Sequence, residues 1–478
     1  MNWKEIKSME SSTKQFDLII IGSGPAGYLS GILAARNGLS IAIIEKSELG
    51  GTCLNRGCIP TKTLLHEASL WSNFGKSGLI RKRGEAASYF KYTLEKKNAA
   101  VNQVVSGIRK LLNRDPITII QGEASFITPR MLSIRRDGKI IKRLESDRIL
   151  IASGAVPAEV PPFKKDGQWI IGSDEALNMT ELPNSMAIVG GGKRGVEFGT
   201  FFNTFGVPVT LIERENRILP KMDREISIRY RGLMAKRGVK VFTDAQIVAA
   251  DLFEKKNSAT LHILHKGKEE KLEFQKVLVV GNRRGNTDGL DIEKASLTLK
   301  DGFLSVDSRM KTSSPGIYAA GDIVGNGFFA HKAFLEAKIA VKNLLGKESE
   351  MDYRFIPTCL YSYPEAASIG LTEEEAKEKW GEIKIGKFPF IGCGRAVTTS
   401  EQDGMVKIIS ETKYGEILGV HILGSGATEL IHLGAMAIKH EIGVEEIKEM
   451  IFAHPTFSEA FFEAALDVSD EAIHIMKG

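Results

Sequence analysis

Two cysteines stand five residues apart in GGTCLNRGCIPTK, at Cys53 and Cys58. A close thiol pair can ligate a metal or exchange two electrons as dithiol and disulfide. Zinc usually takes a second pair at short spacing, but Cys359 and Cys393 stand alone and His66 is the only nearby imidazole. The pair therefore reads as a redox dithiol. Near the C-terminus, HPTFSE sets His454 five residues before Glu459, where a carboxylate can orient an imidazole acting as base and acid. The residues alone favour a capped helix start after Pro455 with a surface histidine.

Two glycine patterns supply the other chemistry. Gly22-Ser-Gly24-Pro-Ala-Gly27 follows the apolar run FDLIII and precedes a helical stretch, the strand IAII and Glu45. Gly190-Gly-Gly192-Lys-Arg-Gly195 follows MAIV and precedes a helical stretch, VTLI and Glu213. Each acid lies 23 residues after the first glycine of its pattern. This is the order of a dinucleotide-binding βαβ unit. The first glycine allows the tight turn, the second admits a pyrophosphate to backbone N–H groups at a helix N-terminus, the third lets helix and strand touch, and the acid accepts from ribose hydroxyls. One copy is weak evidence, but two with equal spacing imply two dinucleotide sites, or one and a relic.

These groups need a large scaffold. The chain has 478 residues, enough for about three domains, with 43% hydrophobic and 26% charged residues, an ordinary globular balance. A net charge of +5 without a long basic block gives little support for nucleic-acid or membrane binding. No run of 18 apolar residues appears, the N-terminal MNWKEIKSMESSTKQ lacks an apolar signal segment and reads as a loose tail, and the expected compartment is the cytoplasm. Four cysteines are too few for a disulfide scaffold. A Lys-rich helical stretch covers residues 92–112, IYAAGD ends a strand in a turn presenting Asp322, and strands beyond residue 350 suggest an antiparallel sheet with helices. The expected fold is α/β, with two Rossmann-like dinucleotide-binding domains, one over 1–157 and 281–349 and one over 158–280, and a C-terminal α+β domain over 350–478.

GGTCLNRGCIPTK resembles the active-site signature of the class I pyridine-nucleotide disulfide oxidoreductases, and the likeness runs from about residue 16 to the C-terminus. CLNRGCIPTK is most similar to the lipoamide-type branch, where glutathione reductases usually read VNVGCVPKK; AHKAFLEA, FPF and EAIHI also look lipoamide-type. The resemblance implies FAD held by Gly22, Gly24, Gly27, Glu45, Gly154 and Asp322, with Ala330 near the flavin ring. It implies NAD held by Gly190, Gly192, Gly195 and Glu213. Cys53 would be the outer interchange thiol and Cys58 the inner thiol facing the flavin, with Lys62 beside the flavin and paired with Glu197. His454, oriented by Glu459, would serve the other subunit, which implies a homodimer with shared active sites. The implied reaction oxidises dihydrolipoyl groups, carried by a protein of a 2-oxoacid dehydrogenase or glycine cleavage complex, and reduces NAD+. The alternatives are a related FAD-dependent NAD(P)H reductase, a soluble transhydrogenase (suggested by RRGNTD), or a subunit without turnover. No metal, nucleic acid or membrane is expected.

Some residues depart from that family. Lys193-Arg194 stand where relatives usually carry a bulky apolar residue and Ile; they bring charge near the flavin or face solvent. Glu213 favours NAD, although Arg214 and Arg217 could accommodate the 2′-phosphate of NADP. Asn282 and Gly285 replace the Gly and Pro of a usual GRxPN, with no assigned effect, and Ser153 replaces a Thr with a mild one. Five other histidines (His66, His331, His432, His440, His474) and Cys359 and Cys393 read as packed or surface residues.

Overall fold

The computed structural model describes residues 13–76, 85–253 and 257–475. The chain divides into two compact units. The first is built from residues 1–61, 95–159 and 282–352, and the second from 62–94, 160–281 and 353–478. Most of the tail expectation falls on residues 1–12, outside the described residues. Thr13–Gln15, however, form a strand in parallel register with Arg143–Glu145. Backbone pairing at a sheet edge makes no demand on side-chain pattern, so the polar TKQ gives no sign of it.

In the first unit, apolar runs bounded by glycine turns become a five-stranded parallel sheet. Its order is Ile317–Ala319, Ile149–Ile151, Leu18–Ile21, Ile41–Glu45, Ile117–Gln121. Leu18–Ile21 and Ile41–Glu45 are buried at every position, as strands covered on both faces must be. Pro25 sets the first turn of the helix Pro25–Ala35, where its missing N–H has no helical partner to lose. The Lys-rich stretch is helical over Glu85–Leu112, longer than its composition suggests. A four-stranded sheet from Thr13–Gln15, Lys139–Glu145, Met131–Arg136 and Glu123–Thr128 completes the unit.

The second unit repeats the device. Its parallel sheet runs Ile170–Ile171, Lys276–Val279, Met186–Val189, Val209–Ile212, Lys240–Phe242. The helix Lys193–Thr204 packs Val196, Phe198, Phe201 and Phe202 into a core that also takes Leu64, Leu65, Ala68, Trp71 and Phe90. The C-terminal part is an antiparallel sheet ordered Thr358–Leu360, Ala366–Gly370, Ile417–Leu423, Met405–Glu411, Ile383–Pro389. Among the described residues no helix is long and apolar enough to cross a membrane.

A buried charge cluster ties these layers of the second unit together. Asp223 caps the helix Arg224–Lys236 through the Glu225 N–H. It also accepts from Lys407 Nζ at 2.9 and 3.0 Å, and Lys407 reaches Glu373 at 2.7 Å. Beside them His421 is fully buried, its Nε2 donating to Leu371 O at 3.0 Å while Nδ1 meets the Ser368 hydroxyl at 2.9 Å. That arrangement holds a neutral ring, and burial pulls its pKa below the usual histidine value. The unfolded chain therefore binds a proton below about pH 6.5 that the folded one refuses, so stability falls as pH drops. Urea denaturation should show a loss approaching about 1.4 kcal/mol per pH unit below that point, and a flatter slope in His421→Asn; equal slopes would refute this account.

Candidate active site

Each glycine turn is built by a contact that a side chain would block. A Cβ on Gly27 would lie 1.9 Å from Gly22 O, and one on Gly195 would lie 1.8 Å from Gly190 O. Gly22 and Gly190 take φ of 99° and 108°, where only glycine is unstrained. Gly24 and Gly192 face open space, with nothing within 4 Å. Together these features leave room at the N-termini of two helices for a phosphate to meet backbone N–H groups, so the residues present fit two dinucleotides.

The acids do more than wait for ribose. Glu45 accepts from Ser23 N at 2.9 Å, Ser23 Oγ at 2.7 Å and Ser47 N at 2.8 Å, and Ser23 Oγ in turn accepts from Gly50 N at 3.1 Å. Glu213 accepts from Gly191 N at 2.6 Å and Glu215 N at 2.9 Å. Each carboxylate thus fastens its glycine turn to the end of the next strand. Beyond Glu213, Arg217 is engaged in a two-pronged pair with Glu374, at 3.1 and 2.8 Å. Arg214 is 80% exposed and pairs with Glu215.

In the first unit Cys53 lies in the short helix Gly51–Arg56, and Cys58 opens the helix Cys58–Lys76. Gly50 and Gly51, both at positive φ, turn the chain into that short helix, and Gly57 separates the two. Both cysteines are half-buried thiols, not joined in a disulfide. The hydrogen bond between them, then burial, holds Cys53 far above the usual thiol range, with Asp322 adding repulsion. Burial, before any effect of the neighbouring cysteines, raises Tyr28 to about 12. Cys53 therefore keeps its proton as a thiol, and exchange with a disulfide requires that proton to be taken from it.

Asp322 follows Gly321, whose φ is 87°. The sequence reading missed what fixes this turn. Lys332, fully buried, donates to Gly325 O at 2.6 Å and pairs with Glu336 at 3.0 Å, while Glu336 accepts from Gly321 N at 2.8 Å. The signal was the i,i+4 Lys and Glu inside AHKAFLEA, on the helix that Ala330 opens. Gly154, at φ 76°, accepts from Asn286 N at 2.9 Å.

In the second unit Lys62 Nζ lies 2.9 and 3.0 Å from the Glu197 oxygens and 4.7 Å from the Tyr361 ring centroid, while Tyr361 N donates to Glu197 at 3.0 Å. Lys193 and Cys359 belong to the same electrostatic cluster. Burial pushes the Cys359 thiol up to about 11 despite Lys193 and Lys62, so it stays protonated. His454 is 77% exposed on its side chain, with Nδ1 2.8 Å from Glu459 Oε1; the other Glu459 oxygen accepts from Thr456 N at 2.8 Å. An imidazole so held keeps Nε2 outward for proton transfer. No cluster of three or more metal-ligating side chains exists among the described residues.

The profile of the pyridine nucleotide-disulphide oxidoreductases matches residues 16–340, and the profile of their dimerisation domain matches residues 356–465. The chain belongs to this family. A dihydrolipoyl dehydrogenase of Bacillus subtilis is 37% identical over 462 residues, covering 96% of this chain and 99% of its own length. One from Staphylococcus aureus is also 37% identical, covering 96% and 98%. The structure of the HOCl-induced flavoprotein disulfide reductase RclA from Escherichia coli aligns with a TM-score of 0.85 at 29% identity, covering 96% of this chain and 99% of that one. Like other pyridine nucleotide-disulphide oxidoreductases, the chain pairs α/β units with a dimerisation domain. Since Gly195 packs against Gly190 O without a gap, Gly195→Ala must push helix from strand and should cost roughly 1–3 kcal/mol. An unchanged urea midpoint would contradict that packing.

Proposed function

We propose that this chain is a dihydrolipoyl dehydrogenase, an FAD-containing enzyme that oxidises protein-bound dihydrolipoyl groups and reduces NAD+ to NADH. The observation that carries the reading is a pair of thiols within hydrogen-bonding reach, five residues apart, in the unit that also bears the Gly22 turn. In this reading residues 1–157 and 281–349 hold FAD, 158–280 hold NAD, and 350–478 form the subunit interface. Gly22, Gly24, Gly27 and Glu45 hold the adenosine end of FAD, with Gly154, Asp322 and Ala330 along its length. Gly190, Gly192, Gly195 and Glu213 hold NAD.

A dihydrolipoyl thiolate attacks Cys53 sulfur in the Cys53–Cys58 disulfide, forming a mixed disulfide and releasing the Cys58 thiolate. The second lipoyl thiol then displaces Cys53, leaving the lipoyl ring oxidised and two electrons on the cysteine pair. His454 takes the proton from the incoming thiol, and Glu459 stabilises the resulting cation. When bound, FAD supplies the two-electron relay from the dithiol to NAD+. Lys62, held by Glu197 at 2.9 and 3.0 Å, would supply a positive charge to that chemistry. The exposure of His454, within the stretch matching the dimerisation domain, supports a homodimer in which the histidine of one subunit serves the cysteines of the other. A lipoyl-bearing protein of a 2-oxoacid dehydrogenase or glycine cleavage complex is the natural donor, and the cytoplasm the compartment.

The test is NADH formation from dihydrolipoamide and NAD+ by the purified yellow protein; a colourless protein that takes up no FAD sinks the reading. Cys58→Ser should lower this turnover by about three orders of magnitude while NADH still reduces an artificial electron acceptor. Retained lipoamide activity would exclude the cysteine route. With Arg217 engaged by Glu374 and Glu213 at the ribose, kcat/KM should favour NADH over NADPH by about tenfold or more. A preference for NADPH would reverse the assignment of the second site.

A further inference from the structure

The pair of Arg217 and Glu374 stands at the rim of the second glycine turn. Arg217 lies four residues beyond Glu213, between the strand Val209–Ile212 and the helix Arg224–Lys236. This segment folds back onto the turn: Leu219 N donates to Gly191 O at 2.8 Å, and a Cβ on Gly191 would meet Glu213 Cβ at 2.9 Å and Ile218 Cγ2 at 3.0 Å. The Arg217 backbone is thus fixed one residue from that contact. Its guanidinium donates to both Glu374 oxygens, Nη1 at 3.1 Å and Nη2 at 2.8 Å, and Nη2 also reaches Pro220 O at 3.4 Å.

Glu374 comes from the helix Glu373–Trp380, in a later stretch of the chain than the turn. That helix is anchored. Glu373 N donates to Asp223 Oδ2 at 3.2 Å, and a Glu373 oxygen accepts from the buried Lys407 at 2.7 Å. The cluster that caps the helix Arg224–Lys236 therefore also pins the start of Glu373–Trp380, and the two partners meet from fixed backbones. With side chains 23% and 47% exposed, the pair adds little stability. Its larger effect is on Arg217, whose two-pronged donor face, the face a guanidinium presents to phosphate, is taken by a carboxylate. Arg214, the other basic residue just past Glu213, is 80% exposed and lies 3.2 Å from Glu215.

We infer that Glu374 is a specificity-determining residue that masks a phosphate subsite: by occupying Arg217 it denies that guanidinium to the 2′-phosphate of a dinucleotide at the second glycine turn. This rests on the proposed function, which sets a nicotinamide dinucleotide at that turn. Discrimination against the phosphorylated form then has two layers. Glu213 opposes the phosphate where the ribose lies, and Glu374 holds the cation that would attract it. The second layer comes from outside the nucleotide-binding stretch, so it can be removed without altering Glu213 or the glycines. Neutralising Glu374 leaves Arg217 a charged fork with no carboxylate in it, ready for a phosphate.

The test is reduction of an artificial electron acceptor by the FAD-loaded protein with NADPH and with NADH, read as the ratio of the two kcat/KM values. Taking the ratio within each variant cancels any loss of active protein. Glu374→Gln should raise the NADPH:NADH ratio about tenfold, the size of one partly screened charge pair, through the KM for NADPH. Glu374→Ser should do the same, and the gain should shrink between about 0.05 and about 0.5 M salt. Arg217→Gln should not raise the ratio, and Arg217→Gln combined with Glu374→Gln should lose the gain. A ratio that neither Glu374 variant moves, or a gain that survives the loss of Arg217, overturns the inference while leaving the proposed function standing. If the unmodified protein already prefers NADPH, the assignment of the second site falls, and this inference with it.

Discussion

A helix can aim its N-terminus at the end of its own sheet only if its first turn touches the strand that feeds it. Gly27 against Gly22 O, and Gly195 against Gly190 O, are that contact, and neither leaves space for a single carbon. The rest of the local geometry at the two turns follows from it. The open faces at Gly24 and Gly192 exist because the turn is tight, and the acids Glu45 and Glu213 reach the turn's N–H groups because strand and helix are so close. The carboxylates serve as fasteners first, with lone pairs to spare for a ligand.

Around these turns the molecule spends its charges sparingly and in pairs. Lys332 with Glu336 and Lys407 with Asp223 each bury a cation against a carboxylate that also accepts a backbone N–H, and the half-buried Lys62 meets the buried Glu197 in the same way. Burying both partners gains little over an apolar pair, whereas removing one leaves an uncompensated charge. Such pairs therefore act mainly as locks on geometry, here on the Asp322 turn, on the Glu197 cluster and on the Arg224–Lys236 helix.

The elements that sequence reveals are those whose partners lie close along the chain. The glycine turns, their acids, the Cys53–Cys58 spacing and the His454–Glu459 step are all local along the chain, and the structure joins Ser23 to Glu45, Gly191 to Glu213 and His454 to Glu459. The strand Thr13–Gln15 escapes because its pairing is carried by backbone alone. The capture of Arg217 by Glu374 joins residues 157 apart, and that of Lys407 by Asp223 joins residues 184 apart. No spacing rule spans such distances. Lys193 is the instructive middle case: its oddity is plain in the sequence, but only the cluster around Glu197 says what its charge meets.

The first unit is assembled from three stretches of chain, and its parallel sheet is closed by Ile317–Ala319 against Ile149–Ile151. During synthesis, then, a hydrophobic strand with one unsatisfied edge must wait while the whole of residues 160–281 emerges from the ribosome. That intervening stretch has its own five-stranded parallel sheet to complete. The order of translation thus gives the nascent chain a prolonged interval with an adhesive edge, a hazard that chaperone capture or rapid collapse of the later-made sheet would have to contain.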